Sequence, residues 1–165
     1  MKANFCIACG AALVTAEDAE GRARNRCTAP DCGWVHYGNP TPVVAAIVEH
    51  AEGVLLARNV GWPEGMFGLV TGYLEAGETP EAGVLREVQE ELGLTAEVVS
   101  LVGVHAFEMK NELLVTYHVR ASGEVKLGEE LAAYKAVPEA KLRPWPMGTG
   151  QALRDWLRSR GRDDV

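Results

Sequence analysis

Residues Gly72–Leu94 read GYLEAGETPEAGVLREVQEELGL, a loop followed by a helix whose two ends are written in its chemistry. Thr79 can cap the first turn. Pro80 suits the first helical position, where its missing N–H has no partner to lose, and Glu81 favours the positive end of the helix. Gly93 is a natural stop. About 13 residues lie between, roughly 20 Å at 1.5 Å per residue. At about 100° per residue, Val84, Leu85, Val88 and Leu92 share one arc, so that side packs on a core. Glu87, Glu90 and Glu91 occupy the adjacent arc, with Gly83 one turn back leaving space beside them. Acids three and four apart on a helix repel by a few tenths of a kcal/mol per pair, about what a favourable pair would return. Two readings follow: a solvated acidic face, or a divalent cation site whose hard oxygen ligands suit Mg²⁺ or Mn²⁺.

The spacing separates them. Gly72, five residues, Glu78, seven residues and then the unbroken run Arg86-Glu87-Val88-Gln89-Glu90-Glu91-Leu92-Gly93-Leu94 is similar to the Nudix hydrolase signature at every fixed position. The resemblance implies a metal-dependent pyrophosphohydrolase acting on a nucleoside diphosphate linked to another group. It implies an α+β fold, a mixed β-sheet sandwiched between helices. It further implies that Glu87 and Glu91 are direct Mg²⁺ or Mn²⁺ ligands, with Glu90 as ligand or base and the Gly72 carbonyl nearby. Arg86 is expected to orient a carboxylate, Glu78 first, rather than touch substrate. The general base is one of Glu87, Glu90 and a downstream loop acid, for which Glu130 matches best. Tyr73 and Phe107 are candidates to stack on a base or nicotinamide ring, and for Phe107 plain core packing is an equal reading.

Moving outward to the N-terminus, all four cysteines lie at one end: Cys6-x2-Cys9, seventeen residues, then Cys27-x4-Cys32. Two knuckle-like pairs, each followed directly by a glycine (Gly10, Gly33), suit a tetrahedral four-thiolate Zn²⁺ site. Disulfides are not expected in a reducing compartment. The module is a zinc ribbon over about residues 4–37, with too little core to fold without metal. Arg22, Arg24 and Arg26 alternate before Cys27, but Glu17, Asp18, Glu20 and Asp31 cancel their charge. A solvated strand is therefore the expectation, since a nucleic-acid footprint needs a net basic field. Asn39-Pro40-Thr41-Pro42 is a stiff joint because each proline excludes helix at the residue before it. The domains expected are residues 1–38, a zinc ribbon, and residues 39–165, a Nudix hydrolase domain.

Strands are expected at Val43–Glu49, Val54–Arg58, Phe67–Thr71, Ala96–His105, Leu113–Arg120 and Leu131–Val137, with a polar connection at Glu108–Glu112. Gln151–Arg160 reads as an amphipathic helix with Leu153, Trp156 and Leu157 inward, capped by Thr149 and stopped by Gly161. His105 has no visible partner and reads as structural. Trp145, between Pro144 and Pro146, reads as packing. The 165 residues carry 47 % hydrophobic and 24 % charged side chains, ordinary for a globular protein, and a net charge of −7. That charge argues against nucleic acid and anionic membranes as partners. MKANFCIACG lacks the long apolar run of a signal peptide, and no stretch approaches the ~20 apolar residues of a membrane span. The default setting is cytoplasmic.

A zinc ribbon directly before this box resembles the bacterial NADH pyrophosphatases. The likeness runs through Phe5-Cys6, Cys9-Gly10, Gly65-Met66-Phe67, Gly72-Tyr73, Glu130-Leu131 and Gly148-Thr149. It implies NAD(H) or ADP-ribose as substrate, cleaved to two monophosphates, and admits a homodimer. The Ser-Gln-Pro-Trp-Pro-Phe-Pro stretch of those enzymes is replaced here by Val104–Lys110. Two other functions stand beside this one: nucleoside triphosphate sanitation or removal of NAD-type caps from RNA, and nucleotide binding without turnover.

Overall fold

The computed structural model describes residues 4–165, so the first three residues of MKANFCIACG lie outside it. The chain divides between Asn39 and Pro40 into two compact units.

The first unit is a three-stranded antiparallel sheet in the order β1-β2-β3, formed by β1 (Leu13–Glu17), β2 (Ala23–Cys27) and β3 (Val35–His36). Its knuckles are closed by backbone bonds: Cys6 N–H donates to Ala11 O and Gly10 N–H to Cys6 O, both at 2.8 Å, and Cys27 N–H to Trp34 O at 2.9 Å. Arg24 donates to Asp18 and to the Tyr37 carbonyl and lies over the Tyr37 ring. Arg22 faces Glu20 at 4.0 Å. Nearby acids thus take up two of the three arginines. Among residues 4–39, Cys6 is the only buried apolar side chain.

The second unit is built on β4 (Thr41–His50), whose six central residues Val43–Val48 are all buried. A strand covered on both faces reads as a continuous apolar run. On one side β4 pairs in parallel with β8 (Glu112–Ser122). On the other it is shared by β6 (Val70–Tyr73) and β5 (Gly53–Asn59), both antiparallel. With β7 (Thr95–Phe107) and β9 (Leu131–Val137) at the edges, the path is β7-β8-β4-β5-β9 with β6 beside β4. Side chains alternate across the sheet. Val44, Ala46 and Val48 meet Val84, Val88 and Leu92 of α1 (Pro80–Leu92). Ile47, Val54 and Leu56 meet Leu153, Trp156 and Leu157 of α2 (Gly150–Ser159). The sheet is mixed and lies between two helices.

Two local expectations need correction. The strand expected at Phe67–Thr71 begins at Val70 and ends at Tyr73. Gly68 instead exchanges two backbone bonds of 2.9 Å with Ala57 of β5, and only then does the chain change partner to β4. Thr149 occupies the position before α2 but has helical dihedrals, and its side chain caps nothing; its carbonyl accepts from Leu153 N–H at 3.1 Å. The polar connection expected at Glu108–Glu112 is present as a short 3₁₀ turn, Glu108–Lys110, closed by Asn111 at φ 54°, with Glu112 opening β8.

Candidate active site

Helix α1 begins and ends where its own residues dictate. Thr79 is extended and accepts from Ala82 N–H at 3.2 Å, Pro80 follows, and Gly93 closes the last turn at φ 69° by donating to Gln89 O. A further tie sits at the first turn. The buried Tyr117 of β8 donates its hydroxyl to Glu81 at 2.8 Å. Burial, and then the Glu81 carboxylate, pushes the phenol up to about 12, while the phenol holds Glu81 below its usual range.

Arg86 is the hub of the site. Its Nε and Nη2 grip Glu78 at 3.1 and 2.8 Å, a bidentate pair, and Nη2 also donates to the Tyr73 carbonyl at 3.1 Å. Nη1 donates to Glu87 at 2.6 Å and to Glu90 at 2.9 Å. Glu78, above all, with Glu87 and Glu90, holds the guanidinium firmly charged. Glu78 accepts in addition from Glu75 N–H at 2.8 Å, and its carboxyl is held low by Arg86 first and that amide second. The space beside Gly83 is not open: a Cβ there would lie 2.8 Å from Glu78 Oε1 and 3.1 Å from Leu74. Gly83 is therefore the seat of the Glu78 carboxylate.

Glu87 and Glu91 are placed differently. Gly72 pairs with Val44 in the sheet, and a Cβ on Gly72 would collide with the Glu87 carboxylate, so only glycine leaves that carboxylate its place. Burial raises the Glu87 carboxyl against the opposing pull of Arg86. Glu91 is only 5 % exposed, and no side-chain or backbone donor among the described residues reaches its carboxylate. Burial first, then the charges of Glu87, Glu130 and Glu90, pushes it up to about 8. Glu130 is exposed, lies close enough to raise both Glu87 and Glu91, and accepts no hydrogen bond on its side chain from any of the described residues. Glu87 and Glu91, half-buried and buried, with the exposed Glu90, offer hard carboxylate oxygens of the kind that divalent cations take. The residues present fit Mg²⁺ or Mn²⁺.

Tyr73 is exposed at the end of β6, whereas Phe107 is half-buried on β7 with Gly148 against its ring. The order β6-β4-β8-β7 puts two strands between these aromatic rings, so the structure does not bring them together. His105 does have a partner: its Nε2 lies 2.8 Å from Asp155 on α2, and its Nδ1 is buried without one. That contact spans 50 residues of sequence and leaves no local mark. Trp145 packs against the core beneath α2.

The cysteines form the second cluster. All four Sγ atoms lie within 4.8 Å of one another; Cys6 and Cys32 are 3.7 Å apart, Cys9 and Cys27 3.4 Å. A tetrahedral ion with bonds of about 2.3 Å to sulfur separates its ligands by roughly 3.8 Å. Ala8 and Ala29 each direct a backbone N–H to a sulfur, of Cys6 and Cys27, at 3.4 Å. These four residues could hold a metal ion. Among the described residues the box glutamates are not drawn into a comparable cluster.

Comparison with known proteins gives a family and a shared fold. The model of the NUDIX domain matches residues 39–157. The NAD-capped RNA hydrolase NudC of Pseudomonas aeruginosa (strain LESB58) is 31 % identical over 123 residues, covering 74 % of this chain and 42 % of that protein. The protein of the same name from Mycobacterium tuberculosis (strain ATCC 25618 / H37Rv) is 38 % identical over 90 residues, covering 54 % of this chain and 29 % of its own. The chain thus spans less than half the length of these curated relatives. Among solved structures, a NUDIX hydrolase from Nitrosomonas europaea superposes with a TM-score of 0.78 at 22 % identity, covering 98 % of this chain and 94 % of its own. An ADP-ribose pyrophosphatase from Streptococcus suis 89-1591 gives 0.60 at 22 % identity, covering 77 % and 96 %. These two show a shared fold.

Proposed function

The chain belongs to the NUDIX hydrolase family, and from that membership we propose that it is a metal-dependent pyrophosphohydrolase of NAD(H), ADP-ribose or a related dinucleotide, releasing two monophosphates. The observation that carries this reading is Glu91, a carboxyl pushed up to about 8 by burial first and then by its acidic neighbours, with no donor among the described residues to satisfy it. A chain that used Arg86 and the glutamates only to brace a helix would gain nothing from burying that carboxyl group without a partner.

Glu87, Glu91 and the Gly72 carbonyl would hold Mg²⁺ or Mn²⁺, with Glu90 as a further ligand. The bound cation would neutralise the diphosphate and lower the pKa of a bound water. Arg86 keeps Glu78, Glu87 and Glu90 in place without needing to touch substrate. Glu130 is the general base in this reading, because its carboxylate is exposed and unengaged while Arg86 occupies Glu87 and Glu90. It takes the proton of the attacking water as the new O–P bond forms and the bridging O–P bond breaks. Tyr73, exposed beside Gly72, offers a ring on which a base or nicotinamide stacks. Cys6, Cys9, Cys27 and Cys32 would hold structural Zn²⁺, making residues 1–38 a ribbon and residues 39–165 the catalytic domain. Reduced thiolates suit the cytoplasm, and no described helix is long and apolar enough to cross a membrane.

A second reading, removal of an NAD cap from RNA, is favoured by the names of the curated relatives. A panel of NADH, NAD⁺, ADP-ribose, NAD-capped RNA and nucleoside triphosphates with Mg²⁺ or Mn²⁺, products resolved, tests both. Cleavage of NADH or ADP-ribose to two monophosphates that collapses in Glu91→Gln is expected. Full activity of that variant would sink the proposal. A kcat/KM for capped RNA well above that for NADH, falling steeply with salt, would move the assignment to RNA.

A further inference from the structure

The last carbonyls of a helix have no partner within it. In α1 two of them are taken up by the loop that follows β8: Lys126 N–H donates to Leu92 O at 2.8 Å and Gly128 N–H to Glu91 O at 2.9 Å. The second contact is unusually close. A Cβ on Gly128 would collide with the backbone carbonyl oxygen of Glu90 and lie 3.4 Å from Glu91 Cα. Two backbones meet there, so neither can swing aside as a flexible side chain would. Two residues on is Glu130, whose carbonyl accepts from Val60 N–H at 2.8 Å. Glu130 is thus held from both sides, by the catalytic helix through Gly128 and by the β5–β6 loop through Val60. Its charge registers on Glu87 and Glu91, in keeping with that placement.

We propose that Gly128 is a positioning residue of the hydrolysis: it lets the loop dock on the backbone of Glu90 and Glu91 and so sets where Glu130 stands against the box carboxylates. This rests on the reading of Glu130 as base given above. Any side chain at residue 128 lifts the loop off the helix by a fraction of an ångström or more, and Glu130 moves with it. The helix keeps its own caps and its packed arc, so the metal-binding carboxylates stay in place. A misplacement of about 1 Å at a reacting group can cost about 10²-fold in rate.

The test measures kcat and KM for NADH and ADP-ribose at saturating Mn²⁺ in the wild type, Gly128→Ala, Glu130→Gln and the double variant, with folding checked by circular dichroism. Gly128→Ala is expected to lose about 10²-fold in kcat, with KM within about threefold. In the Glu130→Gln background the same change should cost less than about threefold, because the group it displaces is already disabled. A wild-type kcat in Gly128→Ala, or a double variant that loses the product of the two single effects, overturns the proposal. Full activity in Glu130→Gln overturns it by removing its target, whereas a wild type that cleaves neither substrate overturns the parent reading instead. Should Gly128→Ala not fold, Val60→Pro deletes the other restraint on Glu130 without touching the helix. It must lower kcat in the wild type and not in Glu130→Gln.

Discussion

The two clusters of candidate metal ligands are assembled in opposite ways. The cysteines come from two separate knuckles and already stand 3.4–3.7 Å apart in pairs. The glutamates come from one helix, repel one another, and are braced from one side by Arg86. In the first case the unit has little besides the site: Cys6 is its one buried apolar residue among those described. In the second the unit has a full core on both faces of its sheet, and the site is an expense that the core supports. A site of the first kind makes its fold, and a site of the second kind is made by it.

The largest effect should come from the cysteines. Structural zinc contributes about 10–16 kcal/mol in isolated finger peptides, far more than residues 4–39 can recover from packing. In the full chain, Cys9→Ser or removal of the metal by chelation should collapse the amide dispersion of residues 4–39 in ¹H–¹⁵N spectra while the amides of 40–165 hold their positions. Dispersed ribbon amides in the variant would break the contrast.

Glu91 should respond with the opposite sign in stability. Its folded-state carboxyl, raised from 4.5 to about 8, favours the protonated form. A group raised in the fold lends its stability in full below its unfolded pKa and loses it as pH rises through the folded one. Without divalent metal, the unit of residues 40–165 should therefore melt progressively lower between about pH 4.5 and 8, and Mg²⁺ or Mn²⁺ should reverse the trend by binding only the ionised fold. Glu91→Gln removes the charge at nearly constant volume. It should raise the metal-free melting temperature at pH 8 by roughly 3–8 °C and flatten its pH dependence, while kcat falls on the order of 10³-fold. Thermal melts in chelator at pH 5 and 8 decide it: a Gln variant less stable than the wild type at pH 8 would place Glu91 with the cysteines, as part of what builds the fold.

The same division explains what could be read from the residues alone. The limits of α1 were legible because Thr79, Pro80, the apolar arc and Gly93 all act within a few residues of one another. The cysteine spacing was legible for the same reason, and β9 has the bounds expected of it. What escaped were events between distant segments. Gly68 pairs with Ala57 before β6 can start, Glu78 fills the space beside Gly83, and Asp155 reaches His105 from another element. Gly128 carries no signal beyond being a glycine in a polar loop; only the helix backbone lying against it gives the residue a role.

Tyr117→Phe asks how much α1 depends on polar ties of this long-range kind, and its effect should be the smallest. The phenol is buried and satisfied by Glu81 alone, but the ring also packs in the core beneath α1, and phenylalanine retains that packing. Glu81 is on the exposed first turn, so water can replace the lost donor. The melting temperature at pH 7 should fall by roughly 2–4 °C, with kcat within about threefold of the wild type. The pH dependence fixes the cause. Glu81 is held below its usual range by the phenol, so the stability it lends is present above its unfolded pKa and is lost as pH falls through the folded one. The gap between wild type and variant should therefore close below about pH 4, the ordinary glutamate range. A gap that persists at pH 3 would assign the loss to packing, and a kcat lower by 10²-fold or more would mean that this one hydrogen bond, rather than the apolar arc of Val84, Val88 and Leu92, sets where the carboxylates stand.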